Sequence, residues 1–294
     1  MNALWLVDIF DKDFKSYDEV ANTLRGLGFS QDDQIWCTYL AQESEPNLNL
    51  AYDVPKADRL TKLPEGMLAK RIASLKLKGL RVLPSVISTP GISMKSGADR
   101  VVADAKTKNA DLIVLQTHSR KGFKRLLLGS FAETLIHRSP VSLLILNPKT
   151  KAKTSVKRIV YATDLAKSAD KSVLKAAEYA KRARAELRLV HVPLPSYDVK
   201  FAGQDPEVDA YRKSVPKRLS QLVKIASAGG LKVDSVIAKP NKPISEAIDF
   251  EAKRFKADLT AMRSDTGPVE SLFLGSVGRS LVRLSTRPVL ILRD

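Results

Sequence analysis

Residues 125–146 read RLLLGSFAETLIHRSPVSLLIL, and residues 271–292 read SLFLGSVGRSLVRLSTRPVLIL. Laid together without a gap, nine of the 22 positions are identical, among them Gly129 with Gly275, Ser130 with Ser276 and Leu146 with Leu292. Self-similarity on this scale makes the chain two copies of one folding unit. Each copy opens on a Gly-Ser step that reads as a helix start. Each closes on a branched apolar run that reads as a strand buried on both faces.

Working outward, both halves alternate strand and helix. In the second, Arg158–Thr163 reads as an apolar strand ending at Asp164. Ser168–Arg184 has helical spacing through Val173, Leu174, Ala176, Ala177 and Ala180. Leu187–Val192, Leu231–Ala238, Asp258–Met262 and Pro288–Leu292 read as strands. A helix through Leu219 stops at Gly229-Gly230, a second spans Ile244–Phe255, and the last opens at Gly275-Ser276. The first half follows suit. Its strands are Leu4–Val7, Ile35–Leu40, a segment within Gly79–Ile87 interrupted by Pro84, Asp111–Leu115 and Leu143–Leu146. Its helices are Tyr17–Leu27, capped by Gly28, then Glu65–Leu77, Lys95–Lys106 and one after Gly129-Ser130. Strict alternation predicts an α/β fold: two tandem domains, each a five-stranded parallel sheet with helices on both faces. The boundaries expected are 1–148 and 156–294, joined by the polar, basic linker 149–155.

Composition agrees. The 294 residues suit two domains, with 44% hydrophobic and 28% charged residues. Apolar runs are far shorter than a membrane span, so no membrane partner is expected. The N-terminus MNALWLVDIF meets Asp8 early and lacks a basic stretch, unlike a secretory leader. The single cysteine, Cys37, fits a cytoplasmic setting. Net charge is +17, yet residues 1–65 sum to −6, leaving +23 on the remainder. That surplus favours an anionic partner. The lysines are dispersed, and no recognition helix or aromatic platform stands out, which sets nucleic acid aside. The three histidines, His118, His137 and His191, form no metal-ligand pattern with the one cysteine. His191 lies inside an apolar strand and reads as a core residue. With no P-loop, no dinucleotide glycine pattern and no nucleophile elbow, no dedicated catalytic constellation is expected.

Chemistry concentrates between the fourth strand and the last helix of the first half. Gln116, Thr117, His118 and Ser119 offer donors, Arg120 and Lys121 supply charge, and Gly122 gives freedom. Gly129-Ser130 then starts a helix whose free N–H groups suit a phosphate. Phe131 follows. The segment DLIVLQTHSRKGFKRLLLGSFAE closely resembles the signature of the universal stress protein superfamily. So does KRIVYATDLAKSADKSVLKAAEYAKRARAELRLVHV at the start of the second half.

The resemblance covers nearly the whole chain, twice, and points to the tandem type. There the fifth strands of the halves pack across a pseudo-dimer interface. It implies a stress-response sensor or regulator that binds ATP or a related adenine nucleotide, with Mg²⁺ if ATP, and at most slow ATP hydrolysis. It also implies a homodimer or a protein partner as alternatives for assembly. A non-nucleotide, dimerising or partner-binding scaffold is the competing reading.

Nucleotide-binding members carry Gly, two residues, Gly, nine residues, then Gly-Ser or Gly-Thr. Here Gln116, Ser119, Gly129 and Ser130 take those places, and the first two depart from the pattern. In the second half the earlier glycines fall on Met262 and on Ser264 or Asp265, beside Arg263. A carboxylate at about 4 Å from a phosphate charge costs about 4 kcal/mol at an effective dielectric near 20.

The family's aspartate at the end of strand one is Asp164, after Thr163, in the second half. In the first it is Asp8 or Asp11, and Asp11 keeps the spacing to the helix, with Val20 matching Val173. The end of strand two is Leu40 in the first half and Val192 in the second. The expected site is therefore Asp11, Leu40, Gln116, Thr117, His118, Ser119, Gly122, Gly129, Ser130 and Phe131, favoured for its basic loop. The lesser second site is Thr163, Asp164, Val192, Arg263, Ser264, Gly275, Ser276 and Val277. Gly275-Ser276 is expected to survive chiefly as a helix cap.

Overall fold

A computed structural model describes residues 1–294 except 12–13, 44, 52, 56–57, 90–92, 118–129, 194–205, 240, 264–270 and 294, with backbone alone at 14–15, 130 and 271–276. The chain divides into two compact units, Met1–Thr154 and Ser155–Asp294.

Unit 1 runs β1 (Asn2–Leu6), α1 (Phe14–Gly26), β2 (Gln34–Gln42), a short α2 (Pro46–Asn49), α3 (Lys62–Ser74), β3 (Val82–Thr89), α4 (Met94–Thr107), β4 (Leu112–Gln116), α5 (Ser130–Arg138) and β5 (Ser142–Leu146). Its strands are parallel, in the order β3-β2-β1-β4-β5. Unit 2 runs β6 (Arg158–Ala162), α6 (Ala169–Ala183), β7 (Glu186–His191), α7 (Pro206–Ser227), β8 (Val233–Ile237), α8 (Ile244–Arg254), β9 (Leu259–Arg263), α9 (Ser271–Leu284) and β10 (Val289–Leu292). Its parallel order is β8-β7-β6-β9-β10. This is the α/β architecture that the alternation predicts, present twice.

The cores follow from the apolar runs. Every residue of β5 and β10 is buried, as a parallel strand covered on both faces requires. On α6, Val173, Ala176, Ala177 and Ala180 turn inward, whereas Leu174, one step off that stripe, is 46% exposed. Trp5 is fully buried, with its ring 5.9 Å from that of Tyr17. Cys37 is buried in β2, between β1 and β3. Gly28 ends the first helix at φ +81°, a conformation glycine adopts without steric cost. After α4 and α8, Asn109 and Lys256 turn left-handed, at φ +49° and +53°. The following Ala110 and Ala257 then donate back to Ala105 and Ala252 at 2.8 Å.

Two expectations need correction. Pro84 does not interrupt β3. Ile35 N donates to Arg81 O, so alternate residues starting from Arg81 face β2 and Pro84 faces outward on the edge. Its missing N–H leaves no ladder bond unmade there. The helix α9 starts at Ser271, so Gly275-Ser276 lies inside it and not at its head. Nothing in Ser271–Leu274 breaks a helix, and an interior glycine costs only about 1 kcal/mol. The second Gly-Ser step is therefore no cap.

Candidate functional site

In each unit the strand order reverses between the first and fourth strands, β1/β4 and β6/β9. The crevice beyond their C-terminal ends is where such sheets take ligands. Backbone register aligns the two crevices. Val7 N donates to Thr38 O at 3.0 Å, and Thr163 N donates to Val190 O at 2.9 Å. Val7 therefore corresponds to Thr163, and Asp8 to Asp164. Both aspartates are exposed and each accepts from the backbone N–H two residues on, although Leu165 turns left-handed at φ +65° and Ile9 does not. Asp8 Oδ1 accepts from Phe10 N at 2.9 Å, and Asp164 Oδ1 accepts from Ala166 N at 3.0 Å.

The counterpart of Asp164 is thus Asp8, and Asp11 lies three residues further along. Counting back from Val20 selects Asp11 because the unit 1 loop is three residues longer, and the extra length falls after the turn. The signal was present in the strand ends, where Asp8-Ile9 matches Asp164-Leu165.

An arginine that sequence reasoning missed ties down this loop in each unit. From α3, Arg71 Nη2 donates to Ile9 O at 3.0 Å and to Asp11 O. Its guanidinium lies 5.2 Å from the centre of the Tyr17 ring. Tyr17 in turn donates to Asp8 O at 2.5 Å, and burial pushes its phenol pKa well up. From α7, Arg218 donates to Ala166 O at 3.0 Å and pairs with Asp170 at 2.9 Å. Nothing in the spacing of either arginine marks it, because the partners are backbone carbonyls far away in sequence.

On the neighbouring strand Leu40 in unit 1 is the register equivalent of Val192 in unit 2, because Leu6 pairs with Thr38 and Ala162 with Val190. The strands differ in length: β2 runs two residues past Leu40, whereas β7 stops one short of Val192. In unit 1 a Cβ on Gly97 of α4 would stand 3.1 Å from Leu40 Cδ2 and 3.4 Å from Phe131 Cε2. Leu40 and Phe131 therefore both close on the bare backbone of Gly97. In unit 2, His191 is buried, with Nδ1 2.9 Å from Thr163 O and Nε2 2.8 Å from Tyr211 Oη. A neutral ring satisfies both contacts: Nδ1–H donates to the carbonyl and Nε2 accepts from the phenol. Burial holds its pKa below the usual imidazole range, against the opposing pull of the Thr163 carbonyl.

At the end of the fourth strand Gln116 is half-buried, and Thr117 is buried with its N donating to Leu146 O at 2.8 Å. Ala3 pairs with Leu112, and Ile159 with Leu259, so the residue in Gln116's place in unit 2 is Arg263. Met262, assigned there by the ungapped alignment, is buried one step earlier. The Arg263 guanidinium donates to Ser168 Oγ, bridging the end of β9 to the start of α6.

Val277 is half-buried in α9. Ser130 is the first residue of α5, while Gly275 and Ser276 lie in the first turns of α9. His118, Ser119, Gly122, Gly129 and Ser264 lie outside the described residues. Among the described residues no three His, Cys, Asp or Glu side chains gather where they could hold a metal ion. No described helix is long and apolar enough to cross a membrane.

Fold and crevice define a class: tandem parallel α/β units, each with an aspartate turned outward at the switch point. The universal stress protein family matches residues 41–147 and again 155–293, and the chain belongs to that family. No curated protein matches it. Among solved structures it is similar to a universal stress protein from Archaeoglobus fulgidus DSM 4304. The identity is 20%, covering 100% of this chain and 96% of that one, with a TM-score of 0.67. It is also similar to a putative universal stress protein from Pseudomonas aeruginosa UCBPP-PA14, at 13% identity over 99% of this chain and 92% of that one, TM-score 0.54. A third likeness is to a protein of unknown function from Pseudomonas aeruginosa PAO1, at 14% identity over 100% and 92%, TM-score 0.56.

Proposed function

We propose that the chain is a stress-response sensor or regulator that takes ATP or a related adenine nucleotide in unit 1, with Mg²⁺ alongside if the ligand is ATP. The observation that carries this reading is the strand-end aspartate. Asp8 stands exposed at the switch point, its backbone held by Tyr17 and its loop by Arg71. Its carboxylate can accept from ribose hydroxyls, with Leu40 level with it on β2, Thr117 level with it after β4, and Phe131 closing with Leu40 on Gly97. Asp8 replaces Asp11 in the site. His118, Ser119, Gly122, Gly129 and Ser130 remain the proposed phosphate-facing residues. Unit 2 is the weaker candidate, because Arg263 already spans its crevice to Ser168. Its candidate residues Thr163, Asp164, Val192 and Val277 are then fold elements. The role is binding, with turnover at most slow.

Calorimetric titration of the full chain with ATP, ADP, AMP and cyclic AMP tests the assignment. Saturable binding that weakens at least tenfold in Asp8→Ala and is unchanged in Asp164→Ala supports it. The reverse pattern moves the site to unit 2. The competing scaffold reading rests on Gln116 and Arg263, two long side chains where nucleotide-binding members carry glycine. Absence of binding by all four nucleotides at millimolar concentration selects it.

A further inference from the structure

The two sheets end differently. One edge of the unit 1 sheet is β3, and the equivalent edge of the unit 2 sheet is β8. Leu187 N donates to Lys232 O and Ala238 N to His191 O. The β7 ladder therefore uses the backbone groups of Lys232, Asp234, Val236 and Ala238, and those of Val233, Ser235 and Ile237 point away from the sheet. Register places Ser235 opposite Leu189, as Pro84 stands opposite Cys37. With Thr38 equivalent to Val190, Cys37 is equivalent to Leu189, so Ser235 is the counterpart of Pro84. A proline at that position removes an outward N–H and blunts an edge against added strands. Unit 2 lacks it.

Beside this open edge runs a groove of about 420 Å³ between α7 and β8, lined by Pro216, Leu219, Ser220 and Val223 on one side and Ser235 and Ile237 on the other. Ile237 is 42% exposed. On α7, Lys217 and Lys224 lie 60° and 40° around the helix from Ser220, on the flank away from the sheet, by helical geometry of about 100° per residue. Lys217, Lys224 and, at the end of β8, Lys239 are all exposed. Among the described residues no carboxylate forms an ion pair with any of the three. The one acid on β8, Asp234, is paired with Arg188 at 2.5 Å on the other face.

We propose that β8 receives an extended acidic peptide from a partner protein as an added strand. The outward groups of Val233, Ser235 and Ile237 supply main-chain hydrogen bonds. The groove takes an apolar side chain. Lys217 and Lys224 pair with Asp or Glu two residues away on the same strand face. Charge complementarity favours this occupant over a second copy of this chain, whose own β8 would bring the same lysines face to face. The surface is remote in sequence from the unit 1 crevice, and the inference does not depend on nucleotide binding.

The test is a peptide array probed with the full chain. Its parent peptide alternates serine with valine and glutamate (Ser-Val-Ser-Glu, repeated), with companions carrying Lys or Ser in place of Glu. Binding of the parent should exceed that of the lysine series at least tenfold. It should fall at least tenfold in Ser235→Pro, which copies unit 1 and leaves the β7 ladder untouched, and several-fold in Lys217→Glu with Lys224→Glu. Circular dichroism of Ser235→Pro confirms folding, and should it not fold, the lysine pair carries the test. No preference for acidic peptides, or binding indifferent to Ser235→Pro and the lysine changes, overturns the proposal. So does a dimer that Ser235→Pro dissociates, because a second copy would then be the occupant.

Discussion

Beneath the last helices the two units solve one packing problem in opposite ways. In unit 2, Asp249 of α8 and Arg287, just before β10, form an ion pair at 2.9 Å with both side chains under 10% exposed. The same positions in unit 1 are Val102 and Val141. The left-handed residues Asn109 and Lys256 and the matching serine turns at Ser139 and Ser285 fix that equivalence. In unit 1 these positions are two half-buried valines, and in unit 2 they are charges that must be paired to be tolerated. A buried pair gives little net stability over a well-packed apolar pair, but losing one partner is costly. The comparison shows that the shared fold fixes neither the chemistry nor the depth of burial at this point.

Breaking the pair gives the largest expected effect. Arg287→Val should destabilise unit 2 by about 2–3 kcal/mol, less than the usual penalty because Lys253 still reaches Asp249 at 2.7 Å. Asp249→Val combined with Arg287→Val, which rebuilds the unit 1 solution, should recover most of the loss. Both tryptophans, Trp5 and Trp36, lie in unit 1. Urea unfolding followed by circular dichroism should therefore show a shift that tryptophan fluorescence does not.

The arginine tethers come next. Arg71 holds two carbonyls and stacks on an aromatic face, so Arg71→Ala should cost unit 1 about 2 kcal/mol. Arg218 is half-buried like Arg71 but has no aromatic face among the described residues. Two of its three carbonyl contacts are long at 3.4 Å and its carboxylate partner is half-exposed, so Arg218→Ala should cost unit 2 about 1 kcal/mol. Fluorescence should register the first and miss the second. Equal losses would mean that the tethers are interchangeable.

The smallest effect is the pH dependence of His191, which stands where unit 1 has Tyr39. Its folded pKa is lowered, so below about 6.5 the unfolded chain binds a proton that the folded one resists. Stability of unit 2 should therefore decline as pH falls through that range, by at most about 1.4 kcal/mol per pH unit from this group. His191→Gln should flatten the decline. An identical slope in the variant would place the proton uptake elsewhere.

Much of the fold was legible in the sequence because two signals coincided: the 22-residue repeat and apolar runs at helix or strand spacing. What misled were features whose meaning depends on a partner strand. Whether Pro84 breaks β3 depends on which way its missing N–H points, and only pairing with β2 decides that. Asp11 was chosen over Asp8 by counting from a helix whose loop had grown. Arg263 was assigned one place late because Asp258–Gly275 is one residue shorter than Asp111–Gly129, and the ungapped alignment carried that offset back into the strand. A Gly-Ser step looks alike at a helix start and inside a helix, as Gly275-Ser276 shows. Leu40 and Val192 are register equivalents, but β2 runs two residues beyond Leu40, a length the apolar pattern did not mark.

Cys37 has a practical use. Burial pushes its thiol pKa up to about 12, so at neutral pH the folded protein offers almost no thiolate. It is the chain's single sulfhydryl, and the equivalent place in unit 2 is Leu189. A thiol-reactive dye is therefore a clock for unit 1 alone. It stays dark while that half is closed, advances each time the half opens, and takes no signal from the other half.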